Sequence, residues 1–301
     1  KSLARALSHL LPMRIIVLDL GDNQLSDADA TAICRSPWLP ELEDLSLALN
    51  FFSGPAIVEI LLAAGEASSL RRLCLLDNGL TAEAGRLIAN VPILHRLESL
   101  DIRGNALRGA LRPLLAACGA GRLQTLGMAV MHHDEAFATT LRDALPRSIT
   151  SLDIGDNRLD EIDLTWLAGD YAAGRSFRRL SLARTLLGSG GLKTFIENYR
   201  GGPIERLQLA GNGLSDRDTV TLTEWPMIET VRSLDLSSNQ FTNAGALTLA
   251  NEPRLANLRE LSLAHNRIGS PGVAALKASS HLAGLAKPVD VGQNTPPELY
   301  R

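Results

Sequence analysis

A six-residue signature, Leu-x-Leu-x-x-Asn, constrains this chain more than any other feature, because it returns at nearly constant spacing along the whole sequence. It stands at residues 18–23, 45–50, 73–78, 207–212, 234–239 and 261–266, at 100–105 and 152–157 with Ile102 and Ile154 as the second apolar residue, and again at 289–294 with Val289 and Val291 as the apolar pair. Two further copies keep the apolar pair and lose the Asn: Leu126 and Met128 lead to Met131, and Leu180 and Leu182 lead to Thr185. Eleven copies therefore follow one another at intervals of 26 to 28 residues. Self-similarity at such a period indicates stacked units rather than one folded-up core.

Each part of the unit has a physical task. Apolar residues at alternate positions face one side of a short strand, and the residue between them faces the other. The Asn leaves the strand at a turn, where its amide can bond backbone groups of its own and the adjoining turn. The second half has helical periodicity: offsets 2, 6, 7 and 10 from Asn266 hold Ile268, Gly272, Val273 and Leu276, and those from Asn239 hold Phe241, Gly245, Ala246 and Leu249. Small residues at offsets 6 and 7 are expected to let the helix lie close to the strand layer. No unit can bury both faces alone, so each needs its neighbours.

The fold expected is an α/β solenoid of about eleven repeats, with a parallel sheet on the concave face, helices on the convex face, and a horseshoe curvature. The pattern resembles the ribonuclease-inhibitor class of leucine-rich repeats, which includes the Ran GTPase-activating protein. The segments 255–261 and 280–285 are similar to those of multi-repeat bacterial members. One domain is expected over 1–301, with a helix over 1–14 as a cap or the remnant of a preceding repeat. Repeats fill 15–294 and a tail fills 295–301, where Pro296 takes an offset held elsewhere by Leu or Phe. The start, without Met, reads as that of a trimmed chain.

Composition narrows the function. Hydrophobic residues are 45% and charged residues 21%, which excludes a disordered chain. A net charge of -3 provides no global field for nucleic acid or an anionic membrane, and no apolar run approaches the roughly 18–20 residues of a bilayer span. Cys34, Cys74 and Cys118 are too scattered for a disulfide framework or a zinc site and suggest a reducing, cytoplasmic setting, with a secreted effector as the alternative. Only four of the 30 basic residues are Lys, a bias expected of a GC-rich bacterial genome.

Candidate site residues come from the columns beside the apolar pair. The central column includes Asp19, Cys74, Asp101, Asp153, Gln208, Asp235 and Asp290; the column two before it includes Asp44, Arg72, Arg179, Arg206 and Glu260. Arg side chains are common interface anchors, and Arg179, Arg184 and Arg206 fall in consecutive repeats. They are the expected partner-binding set, within about 5–10 Å of one another, with Asp153 and Asp156 beside them to set the register of an acidic protein partner. Arg72 and Arg103 form a second pair, and Asp19, Asp22 and Asp44 an alternative for a basic partner. Aromatic residues are absent from these columns, which argues against stacking on nucleic acid.

Other groups weigh less. His132, His133 and Asp134 form a dense cluster without metal-ligand spacing and read as a degenerate turn. The glycines 188, 190 and 191 lack the Lys-Ser/Thr of a phosphate loop. Cys74 has no candidate base. The chain is thus expected to be a non-enzymatic protein-interaction module needing no cofactor or metal. The alternatives are a GTPase regulator, which the resemblance implies, and the substrate-recruiting domain of a larger bacterial effector or enzyme.

Overall fold

A computed structural model describes residues 14–66, 68–119, 122–129 and 135–294. Strand and helix alternate along it, and the chain divides into two compact units, Lys1–Ile149 and Thr150–Arg301. The first holds β1 (Val17–Asp19), β2 (Asp44–Ser46), β3 (Arg72–Cys74), β4 (Ser99–Asp101) and β5 (Thr125–Gly127). Between and after them run α1 (Asp27–Cys34), α2 (Gly54–Ala64), α3 (Ala82–Ala89), α4 (Leu111–Ala117) and α5 (Glu135–Ala144). The second holds β6 (Ser151–Asp153), β7 (Phe177–Ser181), β8 (Ile204–Gln208), β9 (Ser233–Asp235) and β10 (Glu260–Ser262). Its helices are α6 (Glu161–Trp166), α7 (Gly188–Asn198), α8 (Asp216–Glu224), α9 (Asn243–Ala250) and α10 (Ser270–Ala278).

Within each unit the strands pair in chain order and in parallel, with leucine opposite leucine: Leu45 with Leu73 and Leu73 with Leu100, Leu180 with Leu207 and Leu207 with Leu234. That register carries each apolar pair to the same side, and both members are buried, as at Leu207 and Leu209. The eleventh copy departs from expectation. It contributes only a single bridge, Ser262 with Asp290, because Pro288 has no N–H to extend the ladder.

The signature Asn makes the turns continuous. Asn50 donates from Nδ2 to the carbonyls of Leu20 (2.9 Å) and Leu47 (3.1 Å), and its Oδ1 accepts the N–H of Leu25 at 2.8 Å. Asn78, Asn105, Asn212, Asn239, Asn266 and Asn294 repeat this arrangement with the turn before each. At Thr185 the hydroxyl reaches Leu182 O of its own turn at 2.9 Å and Asn212 Oδ1 of the following turn at 3.3 Å but not the turn before it, and the Leu159 N–H turns to the main-chain carbonyl of Thr185.

The small residues at offsets 6 and 7 have a different task from the one expected. A Cβ on Gly85 would come within 2.6 Å of Ala110 Cβ, and one on Gly272 within 2.7 Å of Asn243 Oδ1. The bare positions bring neighbouring helices together rather than helix to strand. They also admit a bond between repeats: Asn243, first residue of α9, accepts the N–H groups of Gly269 (2.9 Å) and Gly272 (3.0 Å) at the start of α10. Asp27 does the same for Ser53 at the start of α2 (2.7 Å).

Candidate functional site

The solvent face of the second unit's strands carries the largest part of the expected site. Arg179 and Arg206 stand directly opposite each other on β7 and β8, the two five-residue strands, which a further pairing of Phe177 with Ile204 lengthens. Their platform is therefore better braced than the three-residue strands around it. Arg184 is separated from them. It lies five residues beyond Arg179, in the turn, where it adopts a left-handed φ of 53°.

There Arg184 forms a two-pronged ion pair with Asp156, its Nη2 donating to Oδ2 at 2.6 Å. Gly211 makes room for it: a Cβ at this position, whose φ is +67°, would lie 2.5 Å from Arg184 Cγ. The Asp156 hydrogen bond raises the Arg184 guanidinium further above its ordinary value, opposed by burial and reinforced by the fields of Asp153 and Asp235. The expected trio thus resolves into an outward pair, Arg179 with Arg206, and a neutralised pair, Arg184 with Asp156. Register sets Arg179 and Arg206 side by side, while Arg184 lies in the turn.

Asp153 belongs to the central column and stands opposite Ser181. Its Oδ1 accepts the N–H of Gly155 at 3.1 Å. The same local bond, from a central Asp to the N–H two residues on, recurs at Asp19, Asp101, Asp235 and Asp290 over 2.8–3.1 Å. At Asp19 the Gly21 N–H, and then the Ser46 hydroxyl, hold the carboxyl below the usual range. Recurrent Asp in this column has a structural cause, satisfaction of a turn amide, before any binding role.

The other candidates in the first unit are matched within the chain. Arg72 Nε pairs with Asp44 at 2.8 Å, and Arg103 Nη2 with Asp101 at 2.6 Å. Cys74 is half-buried, and burial pushes its thiol up, which leaves little reactive thiolate near neutral pH. Gly188 opens α7 with a φ of +56°, and Gly191 packs its bare Cα against Leu164 and Leu187. His132, His133 and Asp134 lie outside the described residues. Among the described residues no group of three or more His, Cys, Asp or Glu could hold a metal, and no helix is long and apolar enough to cross a membrane.

Arg179 and Arg206 differ from these matched arginines. Arg179 donates twice to a neutral acceptor, Gln208 Oε1, at 2.7 and 3.1 Å. Arg206 pairs only loosely with Glu260, at 3.8 Å, and its side chain is 61% exposed. Glu260 meanwhile accepts the Ser233 hydroxyl at 2.8 Å. These residues border a pocket of about 390 Å³ that also reaches Asp235, Asp290 and Lys287. The columns contain the arginines and Gln208 but do not point to Ser233 or Lys287, whose part depends on side-chain direction across strands.

The family described as Leucine Rich repeat matches residues 15–34, 229–250 and 254–277. The alternating strands and helices above agree with that match. The chain has a leucine-rich-repeat fold. Among solved structures, the leucine-rich-repeat chain is similar to one in the Rad7 and Elc1 complex of yeast, at 20% identity and a TM-score of 0.58, over 91% of this chain and 72% of that one. It is also similar to a protein from Bacteroides fragilis, at 14% identity and a TM-score of 0.51, over 89% of this chain and 71% of the other. No curated protein matches it by sequence. The leucine-rich-repeat fold is generally a scaffold for protein–protein interaction and typically not enzymatic.

Proposed function

We propose that this leucine-rich-repeat chain captures a protein partner on the solvent face of β7–β10, with Arg179 and Arg206 as anchors for acidic side chains. The observation that carries the reading is the contrast in pairing. Arg72, Arg103 and Arg184 each meet a carboxylate at 2.8 Å or less, whereas Arg179 meets an amide and Arg206 stands 3.8 Å from its carboxylate. Two neighbouring guanidiniums with spare donors suit carboxylates, which they can grip in a fork. The Arg184–Asp156 pair in the turn beyond β7 offers a partner both signs of charge at one place, which favours one docking register over others. That a similar yeast chain is seen in a complex, Rad7 with Elc1, agrees with an interaction role. No catalytic step is assigned to the chain.

The test is affinity capture from the native cell with the wild-type chain, followed by titration of the captured partner. Arg179→Ala and Arg206→Ala together should weaken binding, and wild-type affinity should fall as salt rises. Arg112→Ala, which breaks a pair with Asp143 in the first unit, is the control. Equal affinity for all three proteins would defeat the reading.

A further inference from the structure

The pocket beside Arg206 has a charge order that a purely acidic ligand leaves half unused. Two rows of side chains cross the strands there. The first row, two residues before the central column, holds Arg179, Arg206, Ser233, Glu260 and Pro288, and Lys287 joins this edge from three residues before Asp290. With Lys287 this edge has three cations against one carboxylate, and that carboxylate is engaged with Ser233 and faces Arg206. The second row, the central column, holds Gln208, Asp235, Ser262 and Asp290. Its only charges are anionic, and its carboxylates have one oxygen each committed to the amides of Ser237 and Gly292. The other oxygen of Asp290 accepts the Ser262 hydroxyl only at 3.4 Å.

We infer that this pocket binds an extended partner segment laid across the strands, with acidic side chains along one edge and basic side chains along the other. The rows are two residues apart on every strand, a separation of about 6.6–7 Å. An extended chain lying between them sends successive side chains to opposite sides. Carboxylates must therefore alternate with Lys or Arg at odd separations, one apart or three apart. At even separations both signs fall on the same edge, and one of them meets its own charge. The acidic edge lies over Arg179 and Arg206 and the basic edge over Asp235 and Asp290. The inference rests on the proposed use of the arginines and adds the basic half of the ligand and its parity.

The experiment uses the full chain and labelled peptides in a fluorescence-anisotropy titration at low salt. The first peptide alternates Glu and Lys, the second spaces Glu, Ser, Lys, Ser so that both signs share an edge, and the third alternates Glu with Ser. The first should bind best. Asp235→Asn with Asp290→Asn keeps an amide oxygen for each turn N–H and removes only charge; it should weaken the first peptide by roughly three- to tenfold, as expected of two solvent-exposed pairs, and leave the third unchanged. Equal binding of first and second peptides, or indifference of the first to the Asp variants, overturns the inference. If the third peptide still depends on Arg206 in that case, the proposed anchor role stands. Absence of binding by every peptide up to roughly 1 mM, the millimolar limit of weak recognition, overturns the charge-ordered site, while the captured partner continues to test the anchors.

Discussion

The Asp216 carboxylate accepts the backbone N–H of Gly245 at 3.0 Å, reaching from the start of α8 to the start of the following helix. The same carboxylate takes the Thr242 N–H at 2.8 Å and its hydroxyl at 2.6 Å, so one acid serves the N-terminus of a helix in the next repeat. Removing it strands amides that a helix start cannot otherwise satisfy. Asp216→Ala should cost about 1–3 kcal/mol, whereas Asp216→Asn, which keeps one acceptor oxygen, should cost less. Urea melts of the two variants check the order.

Asn212 and Leu209 separate the polar and apolar sides of the repeat. Asn212 donates to Leu182 O at 2.7 Å and accepts the Thr185 N–H at 2.9 Å, and Leu209 is 1% exposed. Asn212→Ala should cost about 1–3 kcal/mol through unmatched turn groups. Leu209→Ala should cost about 2–5 kcal/mol through loss of apolar burial and the cavity left behind. An undiminished denaturation midpoint in either variant would refute the corresponding assignment.

Both of these residues are legible in the sequence, because a fixed offset puts every copy of a column in the same environment. Arg179 opposite Arg206 is legible for the same reason: register follows from aligning leucines. Arg184 is not, since its place depends on a left-handed turn and on the missing side chain of Gly211. Nor is the reach of Glu260 back to Ser233, which is a matter of rotamer rather than offset. The recurring Asp of the central column has the pattern of a binding feature, yet each carboxylate satisfies a turn amide first. The eleventh copy keeps its motif and forms only a bridge, because Pro288 overrides the pattern.

Gly211 should tolerate no side chain. Its φ of +67° already disfavours L-residues, and a Cβ would press on Arg184 Cγ at 2.5 Å. Gly211→Ala should destabilise the chain by about 1 kcal/mol or more and displace Arg184 from Asp156. A crystal structure of the variant reads the displacement, and a retained ion pair with unchanged stability would contradict it.

Cys118 should make the fold sensitive to alkali. Burial pushes its thiol up to about 12, well above that of an unfolded cysteine, roughly 8.5. The neutral thiol is favoured by the native state, so its contribution is fully present below the unfolded value and is lost as pH rises from there towards 12. Denaturation midpoints should fall more steeply across that range in the wild type than in Cys118→Ala. Thiol reagents should modify Cys118 only after unfolding.

The bonds between repeats point both ways along the chain. Asn50 completes the turn that precedes it, while Asp216 completes the helix that follows it. Units that carry both groups, as at Asp216 with Asn212 and at Asn243 with Asn239, thus lend one group to the neighbour before and one to the neighbour after. Where adjoining units carry the same groups, duplication or deletion of a whole unit leaves such a donor with an acceptor, since the incoming neighbour supplies the same atoms at the same places. A change of half a unit strands groups on both sides of the break. Ancestral lengthening or shortening of this chain is therefore permitted in whole steps of 26–28 residues and resisted between them.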